Sequence, residues 1–292
     1  MINYDEKYNA YLELINNKID VFCAKLDCKP EILAESMKYS LLAGGKRIRP
    51  VLMLATAETL GVPAEKVLNF ALAIELIHTY SLVHDDLPAM DNDDFRRGMP
   101  SNHKKFGEGN AILAGDALLN TAYSILFDEC ANGVEYVSAS KHVCDSAGIF
   151  GMIAGQSADL LFEKENSFSE KDLQFIHKNK TAKLIMASIL VPSILTGGKY
   201  YSELKQFGEN LGYLFQMTDD VLDVEGKFEN LGKSVGKDVD ENKFTAVKLF
   251  GLDGCKLRID VVGDMCLRLL EGINGDVEFL SEVVNHVKNR IN

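Results

Sequence analysis

Glu65-Lys66-Val67-Leu68-Asn69-Phe70-Ala71-Leu72-Ala73-Ile74-Glu75-Leu76-Ile77-His78-Thr79-Tyr80-Ser81-Leu82-Val83 is apolar on nearly every side when wound as a helix. A surface helix carries one apolar stripe, whereas a helix apolar all round belongs inside a protein. The segment therefore predicts a helix in the middle of a bundle. The chain on either side keeps the helical period. Tyr4, Tyr8, Tyr11, Ile15, Ile19 and Phe22 recur at spacings of three and four, as do Leu204, Phe207, Leu211, Leu214 and Thr218. Pro30-Glu31 reads as a helix start that Gly44-Gly45 ends. Ala147, Gly151 and Gly155 are spaced by four, which would line small residues along one helix face. Gly98-Met99-Pro100, Gly197-Gly198 and the stretch 226–236 mark loops. No alternating strand pattern of useful length, linker or internal repeat is present. The expectation is an all-α chain forming one domain over residues 1–292.

With 292 residues and 47% hydrophobic content, the chain can bury a large core. A formal net charge of −12 argues against nucleic acid as a general partner. The six cysteines lack paired C-x-x-C spacing, so neither a zinc site nor a disulfide framework is indicated, and free thiols fit a reducing compartment. The first six residues lack the basic and apolar regions of a signal peptide. The longest strongly apolar run, Leu184 to Thr196, is too short to span a bilayer and contains Pro192. A cytoplasmic location is expected.

Directly after the apolar helix comes Asp85-Asp86-Leu87-Pro88-Ala89-Met90-Asp91. Pro88 is poorly placed for a continuing helix, so the chain should turn and bring Asp91 back beside Asp85. A second cluster, Asp219-Asp220-Val221-Leu222-Asp223, follows the apolar lead-in Tyr213-Leu214-Phe215. Asp219 and Asp223 are i and i+4 on one helical face, which Gln216 joins. Carboxylates this close repel unless a cation sits among them. A hard cation such as Mg²⁺ takes oxygen ligands, keeps its waters and needs only one or two carboxylates. A charge run is more often a solvated acidic loop, but these runs are fused to apolar helices. Cations lie nearby: Gly44-Gly45-Lys46-Arg47-Ile48-Arg49, Arg96-Arg97, Lys180, Lys233 and Lys243. Glycines allow close approach and the cations suit a diphosphate, although the pattern is not a Walker A loop. His84-Asp85 with His78 upstream allows a His-Asp metal phosphohydrolase. Those histidines are six apart, however, and fall on different helix faces (roughly 600° of rotation).

Together these residues resemble the trans-isoprenyl diphosphate synthases, most closely the bacterial farnesyl diphosphate synthase type. Leu82 to Asp91 is similar to the family's first aspartate-rich motif, in the version with two extra residues between the aspartates. Phe215 to Asp223 is similar to the second. Gly115-Asp116-Ala117-Leu118 and Gly155-Gln156 match further family segments. One departure is Phe244-Thr245-Ala246 after Lys243, where many bacterial relatives carry Ser/Thr-Tyr-Pro.

The resemblance implies a single large helical bundle around a deep central cavity, and a homodimer with Ala111 to Leu126 as an interface candidate. It implies Mg²⁺, three ions with substrates bound and Mn²⁺ as an alternative, on Asp85, Asp91 and Asp219, with Asp86 and Asp223 in support. Arg96, Lys180, Lys233 and Lys243 would bind an allylic diphosphate. Isopentenyl diphosphate would sit on Gly45, Lys46, Arg49, His78 and Arg97. Thr181 and Gln216, with Lys180, would face the reacting carbon.

Tyr80 lies five residues before Asp85, about 7.5 Å along a helix axis. In the resembling family an aromatic here goes with a C15 product, and Ser81 beside it is too small to block. Tyr80 as an ordinary core aromatic is the plainer alternative. Farnesyl diphosphate is the expected product, with geranylgeranyl diphosphate as the alternative. A terpene cyclase would not need the second cationic site. A non-catalytic partner subunit would be expected to have lost aspartates from one motif, and neither motif is damaged.

Overall fold

The computed structural model describes residues 3–162, 169–225 and 245–290. The chain runs α1 (Tyr4–Lys25), α2 (Glu31–Leu42), α3 (Ile48–Leu60) and α4 (Leu68–Asp85). A two-residue hairpin follows, β1 (Phe95–Arg96) against β2 (Met99–Pro100). Then come α5 (Asn102–Phe106), α6 (Glu108–Glu129), α7 (Val134–Ala147), α8 (Met152–Phe162) and α9 (Glu170–Ile176). A π-helical turn, His177–Ala182, joins α9 to α10 (Lys183–Leu195). The described chain closes with α11 (Tyr201–Glu225), α12 (Ala246–Glu271) and α13 (Glu278–Asn289). Among the described residues the hairpin is the whole of the β structure. The loop at 226–236 and the residues Lys233 and Lys243 fall outside the described residues.

α4 sits at the centre, as its composition requires. Eleven of its side chains are buried, and Phe70, Ile74, Leu76 and Ile77 are fully enclosed. Full burial of each such side chain contributes about 1.5–3 kcal/mol. α6 packs along α4, and α3 lies on another side. α10 is buried just as completely from Leu184 to Ser193 and meets α3, α7 and α11. On α11 the sequence period holds, since Leu204, Phe207, Leu211, Leu214 and Thr218 are all buried. No described helix is long and apolar enough to cross a membrane.

One sequence expectation is corrected. Ala147 ends α7, a turn through Gly148 and Gly151 follows, and Gly155 lies on α8. The three small residues therefore do not share a helix face. At Gly151 a Cβ would overlap the Ser146 carbonyl, so glycine serves the turn between two helices.

Candidate active site

The end of α4 behaves as Pro88 requires. The helix stops at Asp85 and the chain turns back, so that the Asp91 N–H donates to the Asp85 carbonyl at 2.8 Å. Asp85 and Asp91 are thus neighbours, both half-buried. Burial and the like charge of Asp91 push the Asp85 carboxyl up to about 6, against the pull of Lys180 and Arg96. A site that penalises its own carboxylate in this way favours a cation. Among the described residues no three His, Cys, Asp or Glu side chains converge as a metal cluster. The donors present are all hard oxygens, which fits Mg²⁺ with its remaining ligands drawn from water and phosphate.

Asp86 is buried and faces the other way. Its carboxylate accepts a forked pair of bonds from Arg96, with Nε to Oδ1 at 2.9 Å, and Arg96 also reaches Asp93 at 3.1 Å. This pairing fastens the hairpin to the end of α4. The hairpin turn is tight because Arg97 and Gly98 both adopt positive φ, 53° and 76°.

Arg97 folds back over Gly45, and its guanidinium donates to the Gly44 carbonyl. A Cβ on Gly45 would lie 2.6 Å from Arg97 Cζ, and the Gly45 φ of +118° also demands glycine. The glycine pair thus shapes a seat for an arginine. His78 looks into the same region from α4. Burial, with Arg49, Arg97, Arg96 and Arg47 around it, holds His78 well below its usual range, so its ring is neutral. Arg47 is neutralised by Glu75 at 2.6 Å, both side chains buried. Glu75 is the single acid on α4 before Asp85, and it also acts electrostatically on Arg49 and Arg97. One carboxylate set against several arginines leaves a positive pocket, and the buried Arg49 Nε has no protein partner. Such a pocket binds an anion.

Lys180 and Thr181 are carried by the π-helical turn. π turns are rare and concentrate at functional sites. Glycines admit this turn on both sides: a Cβ on Gly155 would overlap the Lys180 backbone, and one on Gly212 would overlap Ala182. Burial alone would lower the Lys180 ammonium, but Asp159, Asp85 and Asp91 outweigh it and raise its pKa. Asp159 on α8 pairs with Lys180 at 2.5 Å. Thr181 donates its hydroxyl to Gln216 Oε1 at 2.8 Å.

On α11, Gln216 uses its amide N–H on Asp220, four residues on, at 3.0 Å. Helical spacing predicts that it shares the face of Asp219 and Asp223, but its bonded neighbour is the buried Asp220. Asp219 is about half exposed and pairs with Arg290 at 2.9 Å. Lys46 lies within electrostatic reach of both, so α13 closes a link between the second acidic cluster and the glycine loop. Asp223 is half-buried one turn further along α11.

Tyr80 is buried one turn below Asp85, with its ring edge-on to His84 at 5.8 Å and Tyr123 of α6 within electrostatic reach. Gly115 is glycine because a Cβ there would overlap the His84 ring. Ser81 spends its hydroxyl on the His78 carbonyl of its own helix.

Sequence reasoning missed Asp159, Arg290, Asp220 and the Arg47–Glu75 pair as parts of this site. A lone glutamate inside an apolar helix was a signal for a buried cationic partner, and Asp159 sits three residues beyond Gln156. No local pattern pointed to Arg290.

Residues 30–262 match the sequence model of the polyprenyl synthetase family. A farnesyl diphosphate synthase of Micrococcus luteus is 42% identical over 92% of this chain and 93% of its own. A chloroplastic geranylgeranyl pyrophosphate synthase of Capsicum annuum is 46% identical over 78% of this chain and 63% of its own. The crystal structure of a geranyltransferase from Helicobacter pylori, complexed with magnesium and isoprenyl diphosphate, superposes with a TM-score of 0.82 at 32% identity, covering 97% of this chain and 96% of that one. With two aspartate clusters, an arginine pocket and a helical bundle in common with such enzymes, this chain belongs to the polyprenyl synthetase family and is a prenyltransferase of the trans-prenyl diphosphate synthase type.

Proposed function

We propose that this chain condenses an allylic diphosphate with isopentenyl diphosphate in a Mg²⁺-dependent reaction and releases farnesyl diphosphate. The observation that carries the reading is the pairing of two different charged zones on α4. Arginines surround a neutral His78 at one, and Asp85 and Asp91 face Lys180 at the other. Two anionic substrates thereby receive distinct seats on one helix.

Asp85, Asp91 and Asp219 would hold Mg²⁺, with Asp86 and Asp223 in support. When bound, the metal supplies charge that neutralises a diphosphate and makes it a good leaving group. Lys180 keeps N–H groups for a phosphate while Asp159 holds its ammonium in place. Arg96, anchored by Asp86, takes a further oxygen, and Lys233 and Lys243 would add to it. The C–O bond of the allylic substrate breaks and diphosphate leaves with the electron pair. Thr181 and Gln216 turn oxygen atoms toward the allylic cation. Gly45, Lys46, Arg49, His78 and Arg97 hold isopentenyl diphosphate, whose double bond attacks that cation and forms the new C–C bond. Loss of a proton to the departed diphosphate restores a double bond, so no side-chain base is required.

The test is to supply dimethylallyl and isopentenyl diphosphates with Mg²⁺ and identify the products. A C15 diphosphate is expected. Release of phosphate without C–C bond formation would instead mean a phosphohydrolase, and no turnover a non-catalytic subunit.

The Capsicum relative favours a C20 product as the second reading, and Tyr80 decides between them. Its buried ring is set to floor the channel one turn below Asp85. Tyr80→Ala is expected to lengthen the main product from C15 to C20, read by chromatography. An unchanged C15 product would remove Tyr80 from that role.

Gly45→Ala is expected to raise KM for isopentenyl diphosphate by about tenfold or more, because Arg97 loses its seat and a charge-assisted contact is worth about 1.5–3 kcal/mol. KM for the allylic substrate should stay within about twofold in the same steady-state assay, since Arg97 faces the other site.

The assembly proposed is a homodimer. α6 and the corner between α7 and α8 expose Ile112, Leu113, Ile149, Phe150 and Ile153, apolar surface that a second copy would cover.

A further inference from the structure

Asp220 stands in the middle of the second aspartate cluster, yet its surroundings differ from those of Asp219 and Asp223. It is buried. Its Oδ1 accepts the Gln216 side-chain N–H at 3.0 Å. Its Oδ2 accepts the Ala246 backbone N–H at 2.7 Å and lies 3.6 Å from His177 Nε2. Gln216 Oε1 in turn accepts from Thr181. We infer that Asp220 is a positioning residue: it fixes which end of the Gln216 amide faces the reacting carbon, through the chain Asp220–Gln216–Thr181. This rests on the roles proposed above for Thr181 and Gln216.

The physical argument is about donors and acceptors. Two N–H groups, from Gln216 and Ala246, point at this carboxylate. A carboxylate accepts both, because it has acceptors only. An asparagine in its place has one oxygen and one NH₂. The Ala246 N–H is backbone at the start of α12 and cannot turn away, so it takes the oxygen. The NH₂ would then confront the Gln216 NH₂. Two donors do not pair, and the Gln216 amide would turn end for end. Its N–H edge would then replace its oxygen beside Thr181. A dipole that steadied positive charge would now oppose it. His177 closes the arrangement from the first residue of the π-helical turn, so the same carboxylate touches α11, α12 and the turn that carries Lys180 and Thr181.

The experiment compares Asp220→Asn with Asp219→Asn and with the double variant Asp220→Asn/Gln216→Glu. Asp220→Asn is expected to lower kcat by about 10- to 100-fold, with KM for both diphosphates and the Mg²⁺ concentration for half-maximal rate within about threefold of wild type. Asp219→Asn should instead raise the Mg²⁺ requirement. In the double variant the NH₂ of the introduced asparagine meets a carboxylate, an oxygen again faces Thr181, and kcat should recover by about tenfold over the single variant. A raised Mg²⁺ requirement with normal saturated kcat in Asp220→Asn would make it a metal ligand and overturn the inference. Unchanged kcat, or no recovery in the double variant, would overturn it as well. If the asparagine variant does not fold, the wild-type protein still decides. Its Gln216 side-chain amide, assigned by loss of the signal in Gln216→Met, should exchange slowly with solvent, and fast exchange would refute a held orientation. Wild-type enzyme that forms no C–C bond would defeat the proposed reaction itself, a result distinct from all of these.

Discussion

Asp85→Asn is expected to lower turnover by about 10²–10³-fold or more at saturating substrate and Mg²⁺, the scale of losing one preorganised charge-stabilising group. The amide keeps the shape and the backbone link to Asp91, so the loss reports charge and ligand character rather than misfolding. The same substitution should stabilise the protein in chelator. The Asp85 carboxyl titrates at about 6 in the folded chain, above the ordinary value of about 4. A raised carboxyl favours the protonated form on folding. Its ionisation therefore costs stability above the folded pKa, and the cost disappears as pH falls below about 4. At pH 7.5 an asparagine escapes that cost, and the thermal midpoint should rise by about 2–5 °C. Turnover within tenfold of wild type, or a lower midpoint in chelator, would contradict the placement of a cation at Asp85. The site trades stability for the ion it binds.

The second large effect is one of stability. Arg47→Leu should destabilise the metal-free protein by about 3–5 kcal/mol in urea unfolding, because it strands a buried charge. The Arg47 and Glu75 side chains are 2% and 1% exposed, and Glu75 Oε2 already has no protein partner. By contrast the Lys29–Glu31 pair is 83% and 69% exposed, and pairs of that kind contribute at most about 1 kcal/mol. Arg47→Leu/Glu75→Leu should recover most of the loss, since no lone charge remains. Activity should not follow stability back, because Glu75 is also the counter-charge for Arg49 and Arg97. A single variant as stable as wild type would show that water reaches Glu75.

Much of this was legible in the chain. The all-round apolarity of 65–83 placed α4 at the centre, and Pro88 foretold the turn that sets Asp91 against Asp85. The cations of 44–49 and 96–97 do gather, because the glycine loop and the hairpin meet over α4. Gln216 was harder to place. Helical spacing sets it near both Asp219 and Asp220, and only the start of α12 decides that Asp220 turns inward to meet it. Arg290 is 71 positions from Asp219, and their pairing depends on how α13 lies on the bundle, which no local pattern encodes. The π-helical turn was invisible for a related reason. Its apolar and polar residues read as ordinary helix, and the extra residue per turn is imposed by packing against Gly155 and Gly212.

That widened turn also governs which changes of chain length the molecule can absorb. An ordinary helix and this turn differ by one residue in phase, so deleting any position from 177 to 182 would rotate everything beyond it by about 100° relative to α9. The buried α10 would present a wrong side to three neighbours at once. A residue gained or lost in the connector before Tyr201 would alter only a surface link. Drift in length is therefore open to the rim of this protein and closed at the one irregular coil that carries its reactive lysine and threonine.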